Sequence, residues 1–212
     1  AHTVGYPVVV KPDNGVGANH TYKLKSDEEL EFFLDTKSDE VYIMEEYVNG
    51  YVQTYDAIVD SQGQPLFESG NISPMSIMDI VNDNTDSVYY LVKDLPDKIR
   101  EYGLKTVKSF GVKSRFIHLE FFVLTQDQEG LGKAGDVLGL EVNMRPAGGY
   151  TPDMYNYSQE TDVYKIWADM VCFNKNTKPI GAHHFCAFYG RRDGTHYKLD
   201  DYEIMMKYRD HM

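Results

Sequence analysis

The stretch that decides the fold is Leu138-Gly139-Leu140-Glu141-Val142-Asn143-Met144-Arg145-Pro146-Ala147-Gly148-Gly149. Alternate side chains of a β-strand share a face, so Glu141 and Asn143 lie together and the apolar residues between them face the other way. Arg145 continues the Glu141 face where Pro146 ends the strand. A carboxylate and an amide oxygen suit a divalent cation that bridges phosphates, and the guanidinium neutralises further phosphate charge. An edge strand with a solvated polar face is the alternative for this motif alone.

A second predicted strand carries a partner for this motif. Residues 114–124 alternate between apolar and polar positions, and Glu120 lies on the polar side. A hairpin centred near residues 130–131 places Glu120 directly opposite Glu141. Two facing carboxylates repel each other unless a cation lies between them. We therefore predict a metal site formed by Glu120, Glu141 and Asn143, whose oxygen ligands suit Mg²⁺ or Mn²⁺ rather than zinc.

A phosphate-binding loop is one interpretation of the N-terminal sequence. The predicted strand over residues 6–12 ends with Lys11 and continues into a loop of small residues, 13–20. Lysine supplies a point charge, and glycines such as Gly15 and Gly17 allow backbone N–H groups to approach a phosphate. The lysine precedes the glycines, so this is not a Walker loop. An ordinary hairpin is the alternative.

Local patterns elsewhere predict a mixture of helices and strands. Ser26 and Glu29 have the spacing of a capping box, which predicts a helix that ends near Lys37. Pro96 and Gly111 frame a second helix. The apolar patterns also predict strands over residues 41–44, 53–60, 65–72, 88–92 and 182–189.

Two further helices are predicted toward the C-terminus. We expect Ser158 to cap the first of them, and the second to begin at Asp200. The first has an apolar stripe whose spacing indicates core packing rather than a cofactor site. The residues of that stripe are Val163, Ile166, Trp167, Met170 and Val171.

Composition excludes some classes of protein. The formal net charge of −12 argues against binding to nucleic acid, which depends on clustered Lys and Arg. Cys172 and Cys186 have neither the spacing of a zinc site nor that of a disulfide framework, which favours a reduced, cytoplasmic setting. No apolar run approaches the length of a membrane span, so no membrane partner is expected. The chain begins without Met and almost directly in an apolar run, which leads us to expect a fragment.

Four motifs follow one another along the chain: Gly5–Pro12 with its small-residue loop, Glu45–Gly50, His118–Phe121 and Glu141–Pro146. Together they resemble the ATP-grasp superfamily, in particular the branch with biotin carboxylase and the carbamoyl phosphate synthase large subunit. The resemblance covers the chain to about residue 175. It implies an α+β fold with mostly antiparallel sheets, helices packed on one face, and two lobes around an ATP cleft. We expect a small lobe over residues 1–50, a larger lobe over 51–180 and an extension over 181–212.

The resemblance implies a nucleotide site between the two lobes. Lys11 would contact the ATP phosphates, and small residues of the following loop would fold over them. These residues are Gly15, Gly17 and Ala18. A hinge between the lobes would read adenine, with Glu46 and Val48 acting through backbone groups. The hinge residues are Glu45, Glu46, Tyr47 and Val48.

The resemblance also implies a ligase reaction. Glu120, Glu141 and Asn143 would hold two Mg²⁺ ions. Arg145 would face the transferred phosphate or an acyl phosphate, and Lys11 would be the second catalytic cation. ATP would activate a small carboxylate for attack by an amine or a similar nucleophile. Homodimerisation stays open at this point.

The chain also departs from the family pattern. A carboxylate usually follows the hinge and binds the ribose, whereas Gln53 is the only candidate for that role in this sequence. His20 stands where a further loop glycine is common, and we expect the sequence to begin where the second half of the family's ATP-binding region begins. A nucleotide-binding domain without ligase activity is therefore a second hypothesis. A phosphotransferase acting on a hydroxyl is a third.

Overall fold

The computed structural model describes residues 3–14, 20–74 and 85–212. Within these ranges the chain forms two antiparallel β-sheets, five α-helices and a short 3-10 helix, which confirms the predicted α+β fold class. The strands are β1 (Val8–Pro12), β2 (Tyr22–Leu24), β3 (Tyr42–Glu46), β4 (Gly50–Val59), β5 (Pro65–Ser69), β6 (Asn71–Ser73), β7 (Ser87–Leu91), β8 (Arg115–Leu124), β9 (Val137–Asn143) and β10 (Cys186–Gly190). The helices are α1 (Asp27–Thr36), α2 (Asp97–Ser109), α3 (Thr151–Ser158), α4 (Val163–Phe173), α5 (Asp201–Tyr208) and the 3-10 helix (Arg209–His211).

The smaller sheet has the strand order β2-β1-β3 and packs one face against α1. Val8 and Val10 of β1 are buried on that face in one cluster with Phe33 of α1. The helix begins after Ser26, whose Oγ accepts a hydrogen bond from the Glu29 N–H at 3.3 Å. The predicted N-cap is therefore present. The opposite face of the sheet carries the residues that alternate with these valines.

The larger sheet has seven strands in the order β10-β7-β6-β4-β8-β9, with β5 also paired to β4. Its centre is the ladder between β4 and β8, which runs from Gly50 opposite Leu124 to Val59 opposite Arg115. The strand predicted over residues 182–189 is observed at Cys186–Gly190, where it pairs with β7. The division into residues 1–50, 51–180 and 181–212 stays a prediction.

Helices lie on both faces of the larger sheet. Tyr55 and Ile117 form a buried cluster with Ile99 and Val107 of α2. Ile58 and Phe116, which alternate with them along β4 and β8, form another cluster with α3 and α4. The prediction that helices pack on one face therefore holds for the smaller sheet. It does not extend to the larger sheet, because its central strands carry buried apolar residues on both sides.

The region after β9 differs from the prediction. A helix begins near Pro152, a residue favoured in the first helical turn, and Ser158 ends this helix instead of capping the next one. Asp162 is the actual N-cap of α4, because its side chain accepts a hydrogen bond from the Lys165 N–H at 3.0 Å. The predicted burial of Val171 is also wrong, since this residue is 62% exposed. Only the other side of α4 faces the sheet.

Candidate functional site

Lys11 lies on the face of the smaller sheet opposite α1. It follows the buried Val10 along β1, so the alternation of the strand directs it away from the core. Its Nζ forms an ion pair with Glu45 Oε2 at 2.5 Å, and the Lys11 side chain stays 27% exposed. The structure therefore brings the predicted phosphate-binding lysine together with the first residue of the predicted hinge.

Two carboxylates face each other across the hairpin of β8 and β9. Glu120 is directly opposite Glu141, and His118 is directly opposite Asn143. The hairpin register predicted from the sequence is therefore confirmed. Directly opposed residues of antiparallel strands share a face, so all four side chains lie on one side of the sheet. The Glu120 side chain is only 13% exposed, whereas Glu141 is exposed to solvent.

A buried chain of polar contacts holds the Glu120 carboxylate in place. The His118 imidazole lies between two carboxylates, with Nδ1 2.5 Å from Asp56 Oδ1 and Nε2 3.0 Å from Glu120 Oε1. Thr54 Oγ1 donates a hydrogen bond to the other Asp56 oxygen at 2.5 Å. The Asn71 N–H in turn donates to Thr54 Oγ1 at 2.9 Å. This chain of contacts restricts the position of the Glu120 carboxylate.

The His118 ring is held in its charged form. Burial disfavours the imidazolium, but the charges of Asp56 and Glu120 and their hydrogen bonds outweigh it and raise the pKa of His118 to about 10. Asp56 and His118 are not among the site residues predicted from the sequence. A signal was present, since Thr54 and Asp56 are polar positions that alternate with apolar residues in β4.

The predicted hinge connects β3 to β4 and contacts the loop between β8 and β9. Gln128 and Thr125 of that loop form hydrogen bonds with Tyr47 and Asn49, which flank Val48. Gln128 is not among the site residues predicted from the sequence. Of the predicted nucleotide-binding residues, Gly15, Gly17 and Ala18 lie outside the described residues.

Gln53 is not placed where a ribose ligand is needed. It is 2% exposed, and it precedes Thr54 in β4, so it lies on the α2 side of the sheet. Glu120 is opposite Thr54 and lies on the other side. The assignment of Gln53 to the ribose is therefore incompatible with its burial.

Arg145 lies two residues after the end of β9 and lines a pocket of about 300 Å³ at the far end of the sheet from the hinge. Its Nη1 donates a hydrogen bond to Pro146 O at 2.9 Å. A second guanidinium, that of Arg115, borders the same pocket, and the remaining lining is largely apolar. These residues include Phe116, Met144, Pro152, Val163 and Trp167. Within the described ranges, neither arginine has a carboxylate partner within 4 Å.

The fit of a divalent cation to this face depends on its oxygen donors. Across residues 3–14, 20–74 and 85–212, no three or more His, Cys, Asp or Glu side chains cluster as a metal site would. Glu120, Glu141 and Asn143 supply two carboxylates and one amide, which is a donor set that Mg²⁺ accepts. The Asn143 Nδ2 is buried without a hydrogen-bond partner in the described part of the chain. The residue types therefore fit Mg²⁺, which would add a second counter-charge to the Glu120–Glu141 pair beside the His118 imidazolium.

Comparison with solved structures identifies the fold as that of the ATP-grasp enzymes. The biotin carboxylase domain of Hydrogenobacter thermophilus 2-oxoglutarate carboxylase, in complex with MgADP, ADP and bicarbonate, superposes with a TM-score of 0.63 at 17% identity. Biotin carboxylase from Campylobacter jejuni gives 0.61 at 17% identity. For both, the match covers 88% of this chain and 42% of the other.

An L-amino acid ligase from Bacillus licheniformis is also similar, with a TM-score of 0.58 and 19% identity over 79% of this chain and 39% of the other. This chain therefore spans less than half the length of these enzymes. No protein-family model and no curated protein sequence matches it. Among the described helices, none is long and apolar enough to cross a bilayer.

Proposed function

We propose that the chain is the nucleotide-binding part of an ATP- and Mg²⁺-dependent ligase. ATP would phosphorylate a small carboxylate, and an amine or a similar nucleophile would then displace the phosphate with release of ADP. The observation that carries this proposal is the placement of Glu120 directly opposite Glu141 in a chain with the ATP-grasp fold. Facing carboxylates are unfavourable in a sheet without a cation.

The proposed roles follow from the position of each side chain. Glu120, Glu141 and Asn143 would hold Mg²⁺ or Mn²⁺, which when bound neutralises and aligns the phosphates. Lys11 would reach the phosphates from the smaller sheet. Arg145 would stabilise the charge that develops as the terminal phosphoryl group leaves ADP. Lys11 lies on the smaller sheet and Arg145 lies just after β9 of the larger sheet, which suits a nucleotide bound between them.

The order of groups along the larger sheet supports this placement. The hinge lies at the Gly50–Leu124 end of the central ladder, Glu120 lies further along β8, and Phe116 beside the Arg145 pocket lies near the other end. In the proposed complex these three positions would hold, in that order, the base, the phosphates and the acceptor. The loop with Gly15, Gly17 and Ala18 stays a proposed phosphate contact.

The pocket beside Arg145 is the proposed position of the acceptor carboxylate. Arg115 and Arg145 have no carboxylate partner among the described residues, in a chain with a net charge of −12. A guanidinium binds a carboxylate through paired hydrogen bonds. An acceptor with an apolar body would fit the apolar lining. We also propose a cytoplasmic location, with no nucleic acid or membrane as partner.

A nucleotide-binding domain without ligase activity is the second candidate. The burial of Gln53 favours it, because this removes the one candidate for the ribose contact. Such a domain would bind ATP without turnover that depends on an acceptor.

The natural full-length protein, incubated with ATP, Mg²⁺, an amine and a panel of amino acids and small dicarboxylates, tests the proposal. We expect slow release of ADP and phosphate when no acceptor is present, and faster release with the correct carboxylate and the amine. Mass spectrometry should then detect a ligated product. Formation of AMP and pyrophosphate would rule out an acyl phosphate. Tight ATP binding without acceptor-dependent turnover would favour the second candidate.

A further inference from the structure

The side chain of Gln128 forms four hydrogen bonds to the segment that connects the two sheets. Its Nε2 donates to Tyr47 O at 2.7 Å and to Glu46 Oε1 at 3.2 Å. Its Oε1 accepts from the Asn49 N–H at 3.0 Å and from Asn49 Nδ2 at 3.2 Å. One amide therefore satisfies backbone groups on both sides of Val48.

The loop that carries Gln128 is itself fixed. The Gln128 N–H donates to Gly132 O at 2.9 Å, and the Gly132 N–H donates back to Gln128 O at 3.0 Å. Thr125 adds two hydrogen bonds to Asn49 O, from its N–H at 3.0 Å and from its Oγ1 at 3.1 Å. Because Gln128 is part-buried, its hydrogen bonds compete less with water than those of an exposed side chain. The hinge is thus held by a restrained partner.

These contacts leave one residue of the hinge free. The backbone N–H and C=O of Val48 form no hydrogen bond with the described residues, whereas Tyr47 and Asn49 on either side do. A backbone N–H and C=O held in fixed positions can read the edge of a base through paired hydrogen bonds. Such a site recognises the base well only if the segment is ordered before the nucleotide arrives.

We propose that Gln128 is a positioning residue for the nucleotide base, an inference that rests on the proposed function. By holding Tyr47 and Asn49, it fixes the N–H and C=O of Val48 for adenine and so contributes to the preference for ATP over GTP. The same hairpin carries Glu120 and Glu141. Gln128 thereby also sets the position of the base site relative to the carboxylate pair.

The first test compares ATP and GTP binding, with Mg²⁺ present, in the natural full-length protein and in variants. Gln128→Ala should weaken ATP binding about tenfold and move the ATP-to-GTP affinity ratio toward one, because hydrogen bonds that order the hinge are lost. Gln128→Glu removes the Nε2 donor and places a carboxylate against Glu46, so it should behave alike. Gln126→Ala is the matched control, since Gln126 is exposed in the same loop and should leave both values unchanged.

The second test requires no nucleotide. In Gln128→Ala, the hydrogen-exchange rate of the Asn49 N–H, measured by NMR, should rise at least about tenfold, because the acceptor of its hydrogen bond is gone. The Tyr47 N–H, which donates to Pro7 O at 3.3 Å, is the internal control and should not change. If the wild-type protein binds ATP but the Gln128 variants keep its ATP-to-GTP affinity ratio, or if the Asn49 exchange rate is unchanged, this inference is overturned. The proposed function is not affected by that outcome. Failure of the wild-type protein to bind ATP overturns the proposed function and this inference together.

Discussion

Asp56 and His118 lie directly opposite each other on β4 and β8, with 2.5 Å between Oδ1 and Nδ1. Asp56 is fully buried, and His118 carries this contact on to Glu120. A neutral residue at position 56 would leave the buried imidazole with half of its counter-charge. The pair therefore couples the stability of the sheet to the position of Glu120.

Asp56→Asn should lower the free energy of unfolding by about 3 kcal/mol, because it removes one partner of a buried charge pair. Chemical denaturation followed by circular dichroism measures this value. Asp94→Asn is the control, since Asp94 is exposed and its replacement should change stability little. An Asp56→Asn protein as stable as the wild type would show that the pair contributes no net stabilisation.

The register of the carboxylate pair could be predicted from sequence, whereas its surroundings could not. Glu120 and Glu141 belong to one hairpin, so the strand patterns and a single loop determine which residues face each other. Asp56 reaches His118 because β4 pairs with the edge of β8 that β9 leaves open. This pairing depends on the strand order of the whole sheet. Gln128 binds two backbone groups and two side chains of a distant segment, and these contacts leave no pattern in the sequence.

Helix limits show the same contrast. The cap at Ser26 depends only on neighbouring residues and was predictable. α3 has only eight residues, and its buried positions include the polar Thr151 and Ser158, so no apolar period marks this helix and the sequence pattern places Ser158 at the wrong one. The exposure of Val171 depends on which side of α4 meets the sheet, which is a tertiary property.

Gly103→Ala should destabilise the fold without touching the candidate site. A Cβ at this position of α2 would lie 2.2 Å from Cγ of Tyr55, whose ring is fully buried. The overpacking should outweigh the gain in helix propensity and cost about 2 kcal/mol of unfolding free energy. Gly139→Ala is the control, because a Cβ there meets no atom within 4 Å. A Gly103→Ala protein of unchanged melting temperature would contradict the close packing of α2 on β4.

Glu141→Gln should remove most of the dependence of ATP binding on Mg²⁺ or Mn²⁺. The dependence arises because a cation between two opposed carboxylates offsets their repulsion, and the variant has only one carboxylate at this place. Isothermal titration calorimetry with and without the metal gives both affinities. Glu129→Gln changes an exposed carboxylate in the same hairpin and should retain the full dependence. Equal ATP affinity of the wild-type protein with and without metal would exclude a metal role for the Glu120–Glu141 pair.

Arg145→Ala separates a ligase from a binding domain. In a ligase the guanidinium acts mainly as the terminal phosphoryl group leaves, so its loss should reduce acceptor-dependent turnover about a hundredfold, roughly 3 kcal/mol of transition-state stabilisation. ATP affinity should change only a few-fold, since Lys11 and the metal ligands remain. Steady-state ADP release gives kcat and KM, and calorimetry gives the ATP affinity. The control is Lys108→Ala, an exposed cation of α2, which packs on the face of the larger sheet opposite Glu120. If Arg145→Ala weakens ATP binding as much as it lowers turnover, Arg145 binds the ground-state nucleotide. Its guanidinium would then contribute to ATP binding and not to phosphoryl transfer.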